Sequence, residues 1–205
     1  MGYSFDRTHD RILESARISF MQNGFSGASI RQICNDAGVT NGAFYSHFDS
    51  KEDLFAKLVD PVIKGMDDLY SEESSRFDKI RSAKEFGKVL DKAFVSDRVM
   101  IHYIYEHADI FKLLLTSSAG TKYEKLPEQI AATETDDTLE LLNHCKMFIS
   151  RPENISGVLI TRISFFIINT VFDSFLSGNP EEETVKQTQT AAEFCITGLK
   201  QILGI

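Results

Sequence analysis

The chain has no tryptophan, three cysteines and four prolines in 205 residues. Cys34, Cys145 and Cys195 lie far apart and form no C-x-x-C pair. An odd, scattered set argues against a disulfide framework or a cysteine-built zinc site and suits a reducing cytoplasm. All three sit in apolar helical contexts and read as buried thiols. No apolar run reads as long enough to span a membrane. The opening MGYSFDRTHDR lacks the apolar core of a secretory signal. Nowhere do apolar and polar residues alternate as in a half-buried strand, and no internal repeat is found. No nucleophile–base set, P-loop or dinucleotide fingerprint is present, so no catalytic residue and no cofactor is expected. Five histidines are scattered, and His102 and His107 are five residues apart, off the three–four spacing that puts ligands on one helix face. No metal site is expected.

What is present is helical periodicity, and the stretch from Gly24 to Phe55 organises it. It reads GFSGASIRQICNDAGVTNGAFYSHFDSKEDLF. Ser29 is a candidate N-cap, because a hydroxyl there accepts from the free N–H groups of a helix start. Ile30, Ile33, Cys34 and Ala37 follow at helical spacing. Gly38 supplies the left-handed residue by which a chain leaves a helix sharply, and Val39 can plug the corner. Thr40 is a second N-cap, and a short helix is predicted through Phe48. Ser50 caps a third, with Asp53 in the place of a capping-box acid. Two short helices joined at a glycine turn, apolar faces inward, form a helix-turn-helix pattern.

The second helix of the pair suggests the purpose. With Phe44 and Phe48 as its buried stripe, Gly42 and Ser46 point directly away at about 100° per residue. Its outward face is slim and polar: Asn41, Gly42, Ala43, Ser46. A major groove admits a helix whose leading face is small or hydrogen-bonds base edges. Tyr45 and His47 flank the stripe and can reach phosphates. Lys51 adds a positive charge beside free N–H groups at a helix start, where phosphate is favoured.

Phe25, Ser29-Ile30, Ile33, Ala37-Gly38-Val39, then Gly42-Ala43-Phe44-Tyr45-Ser46-His47-Phe48 and Lys51-Glu52-Asp53-Leu54 carry a resemblance. They resemble the DNA-binding domain of the tetracycline-repressor (TetR) family over roughly residues 8–58. The resemblance implies an all-α fold of about nine helices. A three-helix head over residues 1–58 would bind DNA, and residues 59–205 would bind an effector and dimerise. His9 stands where the family usually has a basic residue, and Arg7 or Arg11 could take over that phosphate contact.

The rest of the chain fits a larger helical domain. Thr8 to Asn23 is predicted as a helix stopped by Gly24. Ser50 to about Met66 is another, with Pro61 inside, and residues 67–82 read as a fraying end and loop. Phe86, Val89, Leu90, Ala93 and Phe94 mark the next. Arg98–His107, Ile110–Leu115 and Lys122–Phe148 follow, the last with a polar middle. Asn154 is the predicted cap of a helix reaching Leu176 that is apolar nearly all round, hence buried on several sides. Ser177-Gly178-Asn179-Pro180 separates it from a last helix with Thr188, Ala192, Cys195, Leu199 and Ile202 on one stripe.

Net charge is −8. Residues 1–51 hold five cations and five anions, so the acidity belongs to the remainder. A neutral head makes few ion contacts, and affinity must then come from dimerisation and neutral phosphate donors. His102, Tyr103, Phe111, Phe165, Asn169 and Phe172 mix apolar bodies with polar tips, a mixture that lines small-molecule pockets. The expectation is a cytoplasmic, ligand-responsive DNA-binding regulator. It would be a homodimer through its last two helices, with a double-stranded operator and a small, largely apolar effector as partners and no membrane. The alternative is a helical ligand-binding or interaction protein whose head no longer reads DNA.

Overall fold

Apolar residues at three–four spacing become buried helix faces throughout. The computed structural model describes residues 2–73, 80–92 and 98–205, with side chains within 7–70, 80–91 and 98–205. Among the described residues there are ten α-helices and no strand. The fold is all-α, as the sequence predicts.

Contacts divide the chain into two units, Met1–Gly65 with His107–Leu126, and Met66–Glu106 with Pro127–Ile205. This grouping differs from a single cut at 58/59, because a later segment returns to the first unit. That unit begins with α1 (Gly2–Gly27), which buries Ile12, Ala16 and Phe20 on one face. Gly24 breaks it at φ 68, ψ 168. α2 (Ile30–Ala37) buries Ile33, Cys34 and Ala37. It ends at Gly38, φ 62, ψ 39, whose N–H donates to Asn35 O at 3.0 Å while Val39 N–H donates to Cys34 O at 2.9 Å. α3 (Asn41–Tyr45) is shorter than the helix predicted through Phe48. Its end tightens, with Ser46 N–H on Ala43 O and His47 N–H on Phe44 O, so Phe48 is buried from a turn.

α4 (Lys51–Glu73) opens as predicted. Ser50 Oγ accepts Asp53 N–H at 3.0 Å, and Asp53 reaches back to Asp49 N–H at 3.0 Å. It runs past the predicted end near Met66. Residues 74–79 of the expected loop lie outside the described residues, as do Ala93 and Phe94. α7 (Ala108–Thr116) completes this unit beside α1. Arg17 pairs with Asp109 at 3.1 Å, and Phe25 N–H donates to Ser117 O at 2.7 Å. The rings of Phe20, Phe25 and Phe55 lie 5.1–5.8 Å apart in a buried cluster.

The second unit holds the end of α4, then α5 (Ala83–Lys92), α6 (Arg98–Glu106), α8 (Leu126–His144), α9 (Gly157–Leu176) and α10 (Glu181–Leu203). Single 3₁₀ turns lie at Lys146–Phe148 and Pro152–Asn154. Phe86, Leu90, Leu142, Ile160, Ala192 and Leu203 are fully enclosed in its core. Within the polar middle of α8, Thr135 and Thr138 are buried, and Thr135 donates to Ala131 O at 2.7 Å. Ser156, not Asn154, caps α9, accepting Leu159 N–H at 3.3 Å. Asn154 instead donates to Ile202 O at 2.9 Å. A polar set, buried at Ser174 and Thr184, pins the α9–α10 corner: Tyr105 hydroxyl donates to Asn179 O at 2.7 Å and lies 2.7 Å from Thr184 Oγ1, itself 2.8 Å from Ser174.

Two readings of α9 need correction. By length and composition it is apolar enough to cross a membrane, although only half of that stretch is buried. It is also not enclosed on all sides, since Val158 is 74% and Phe166 50% exposed.

The left-handed turn yields a stability prediction. A methyl at Gly38 would sit 2.6 Å from Arg11 Nη2, in a conformation that L-residues avoid. Gly38→Ala should cost about 1–2 kcal/mol from the backbone alone. The midpoint of a thermal melt should fall by about 2–8 °C.

Candidate nucleic-acid interface

The outward face of α3 is built by what lies beneath it. Phe44 is fully buried and Phe48 nearly so. Thr40, in extended conformation, caps the helix by accepting Ala43 N–H at 3.1 Å. The residues opposite the stripe are turned out: Asn41, Gly42, Tyr45 and Ser46 are exposed, with Ala43 partly so. Tyr45 is 59% exposed and stands edge-on to Phe44. Ser46 donates its hydroxyl to Ala43 O at 2.6 Å, leaving its lone pairs outward. Ser29 holds the N-cap position of α2, but its exposed hydroxyl makes no capping bond. The predicted cap there is geometric only.

The two flanking residues differ. His47 is half-buried, its ring 5.8 Å from that of His9, which stacks on Phe48 at 4.8 Å. Burial first, and then the charge of His9, lowers the pKa of His47. His9 thus packs at the base of the helix-turn-helix.

Three cations are engaged inside the unit. Lys51 Nζ donates to Phe25 O at 2.7 Å and Ala28 O at 3.1 Å, and sits 4.5 Å from the Phe25 ring centre. Arg11 donates to Ala37 O and to Gly38 O, capping the carbonyl end of α2. Arg17 is paired with Glu14 and Asp109. The expectation that Lys51 and Arg11 reach outward is corrected in this respect: helix-end carbonyls carry partial negative charge and capture nearby cations. Arg31, two residues after Ser29 and missed in the sequence, is exposed.

The six predicted pocket residues do not converge. Phe111 is buried in the first unit. His102 is exposed, 3.1 Å from Glu181 and 3.5 Å from Glu106. Tyr103 is half-buried, and burial followed by the charges of Asp68 and Glu106 raises the pKa of its phenol. Phe165 is partly exposed, and Asn169 donates to its carbonyl at 2.9 Å within α9. Only Phe172 of the six borders the apolar cavity found in the second unit. Met66 and Tyr70 of α4, Met100, Ile101 and Ile104 of α6, Ile130 of α8, and Ile168 and Val171 of α9 complete the lining. The cavity holds about 10 Å³, the room of roughly one water. Aliphatic and methionine linings read as plain core in sequence, which is why polar-tipped aromatics drew the prediction.

The free sides of α9 and α10 form an open groove of about 630 Å³ bordered by Leu159, Ile163, Phe194, Gly198 and Ile202. Phe194 is 77% exposed. Leu199, 2% exposed, forms part of the groove floor, while Ala191 and Ala192 are buried. Cys195 is only partly buried, unlike Cys34 and Cys145.

Residues 12–58 match the family model described as bacterial regulatory proteins, tetR family. The HTH-type transcriptional regulator UidR of Escherichia coli K12 is 42% identical over 52 residues, 25% of this chain and 26% of UidR. The match thus spans about a quarter of that relative's length. The HTH-type transcriptional repressor AcnR of Corynebacterium diphtheriae is 24% identical over 143 residues, 63% of this chain and 75% of AcnR. In solved structures the fold recurs in a candidate fatty acid metabolism regulator of Clostridium perfringens. Its TM-score is 0.55 at 17% identity, over 89% of this chain and 96% of that one. The helix-turn-helix of residues 12–58 thus matches the DNA-binding domain of the tetR family of bacterial regulatory proteins, and the all-helical fold around it is shared with the solved structure.

Proposed function

We propose that the protein is a DNA-binding transcriptional regulator, a repressor acting in the cytoplasm as a homodimer and released by a small, largely apolar effector. The observation that carries this reading is the slim exposed face of α3, anchored from below by Phe44 and Phe48. Asn41, Gly42, Ala43 and Ser46 face bases. Ser29, Thr40, Tyr45 and His47 hold phosphates. Asparagine pairs with adenine, alanine meets a thymine methyl, and glycine permits close approach. A dimer places two such helices about 34–36 Å apart on a pseudo-palindromic operator. In an electrophoretic shift with the DNA flanking its own gene, the wild type should bind. Asn41→Ala should lose about 1–3 kcal/mol and relax one operator position. A wild type that leaves that DNA and random competitor equally bound, or equally free, sinks the reading.

His47 supplies a pH dependence. Its folded pKa lies below the ordinary 6.5 because the charged form is disfavoured. The stability it contributes is present in full above about pH 6.5 and is lost as the pH falls through the lowered value. A phosphate beside it favours the imidazolium, so DNA affinity should rise as the pH falls below about 6.5. Both trends should shrink in His47→Gln, measured by melting and by anisotropy across the same pH series.

The groove on α9 and α10 supports the homodimer reading, since exposed apolar patches of this kind mark interaction sites. Phe194→Glu changes an exposed residue and should yield folded monomers in sedimentation. An intact dimer in that variant would move the interface elsewhere.

The effector site is the cavity bordered by Met66, Met100 and Phe172. Its apolar lining favours a ligand with few polar groups. Binding displaces the methionines, which repack readily, and changes the end of α4. A coupling of about 1–3 kcal/mol would weaken DNA binding about 5–150-fold. Met100→Trp should take up the room into which the cavity would open, keeping DNA binding and abolishing the response to an apolar effector found by thermal-shift screening. A normal response would place the pocket elsewhere.

A further inference from the structure

We propose that Lys51 is a positioning residue of the DNA-reading head, acting as a clamp across the helix-turn-helix and not as a phosphate ligand. The inference rests on the reading that this head binds DNA. Ala28 immediately precedes Ser29 at the start of α2, and Lys51 opens α4. The bond of Lys51 Nζ to Ala28 O at 3.1 Å therefore closes a ring of chain that contains α2, the Gly38 turn and α3. The second bond, to Phe25 O at 2.7 Å, ties the same ammonium to the residues that follow the break at Gly24.

The partner is itself anchored. Phe25 is 5% exposed, and its N–H donates to Ser117 O at 2.7 Å. Its ring meets that of Phe55, one turn along α4 from Lys51, in an edge-on contact at 5.5 Å. One turn of α4 thus holds Phe25 by a ring, by an ammonium over that ring and by a hydrogen bond to its carbonyl. Two of the three ammonium N–H groups are directed at carbonyls at the end of the α1 segment, where negative partial charge accumulates. Arg11 performs the matching task at the other end of α2, on Ala37 and Gly38. α3 contributes no such tie of its own. These two cations, the buried bond from Ser15 Oγ to Ile33 O at 2.9 Å and the buried phenylalanines are what hold the segment carrying α3.

Phosphate contacts and positioning contacts have different salt signatures. Neutralising a phosphate releases counterions, so losing that contact lowers the slope of log affinity against log salt. Losing a clamp lowers affinity equally at every salt concentration. The test uses the full chain and a mixed-sequence DNA duplex, followed by fluorescence anisotropy over a salt series far below the melting temperature. Lys51→Met keeps the aliphatic stem and removes the donors. It should weaken binding about tenfold, as expected for a lost charged hydrogen bond, with the slope unchanged. Amide hydrogen exchange over residues 29–50 should accelerate in that variant. Lys51→Arg keeps charge and donors and should restore most of the affinity and protection.

A slope lowered by about one per subunit would make Lys51 a phosphate ligand and overturn the proposal. Wild-type affinity and wild-type exchange in Lys51→Met would overturn it as well, reducing Lys51 to packing. A wild-type chain without salt-dependent binding would sink the DNA reading instead. Exchange over residues 29–50 would still decide whether the clamp exists.

Discussion

A helix of five residues does not hold itself together. Nucleation leaves isolated short helices unstable in water, and α3 spans only Asn41 to Tyr45. Its existence depends on burial of Phe44 and Phe48, on Thr40 serving its own first turn, and on the left-handed step at Gly38. Remove the burial and the exposed face loses its direction, whatever residues it carries. The remainder of the first unit can be understood as support for that one turn. α1 supplies the apolar floor, α4 supplies the aromatic wall, and α7 with its following turn braces α1 from another side.

This support explains the head's charge. Residues 1–51 are neutral overall, which under the proposed function leaves few ion contacts for phosphates. Arg11, Arg17 and Lys51 hold carbonyls and carboxylates of the head itself. Ordering a short helix therefore competes with displaying cations. Under the proposed function, phosphate recognition falls to hydroxyls, a half-buried imidazole, backbone N–H groups and the exposed Arg31. Such neutral donors fix register on a duplex while contributing little non-specific attraction. Under the same proposal the acidic remainder of the chain would repel DNA met in a wrong orientation.

Local rules carried the sequence reading where the physics is local. Gly38, Thr40, Ser50 and Asp53 occupy capping positions within four residues of their partners, and the turn chemistry is legible there. Phe44 and Phe48 follow from spacing. What failed were contacts spanning long stretches of chain. Lys51 meets carbonyls 26 and 23 residues away, and nothing in its neighbourhood announces them. Phe111 returns to the first unit from far down the chain. α9 misled for another reason: apolar nearly all round, it left periodicity little beyond Thr161, Arg162 and Asp173 to tell core from free face. Val158 and Phe166 belong to the free face, while Ser164 is buried. The cavity was unreadable because its lining differs from ordinary core only by a small deficit of volume.

That deficit bears on the proposed ligand response. At about 10 Å³ the cavity does not admit a small organic molecule. A protein whose binding-competent state is a minor one loses apparent affinity in proportion to that population. A ligand shifts such an equilibrium only by its differential affinity for the two states. The lining suits this arrangement. Met66 and Met100 are unbranched and repack at small cost, whereas Ile101, Ile104, Ile130 and Ile168 are stiff at χ1 and keep the walls in place. Met66 and Tyr70 also belong to α4, the helix whose first residue is Lys51. Pro61 lies between, and it removes one N–H from the helical ladder, so the carbonyl of Lys57 lacks its usual partner. A bend there breaks one hydrogen bond fewer than elsewhere in α4. Opening the cavity and altering the course of α4 are thus favoured at neighbouring points of the same helix, which is the arrangement a ligand-coupled change of DNA affinity requires.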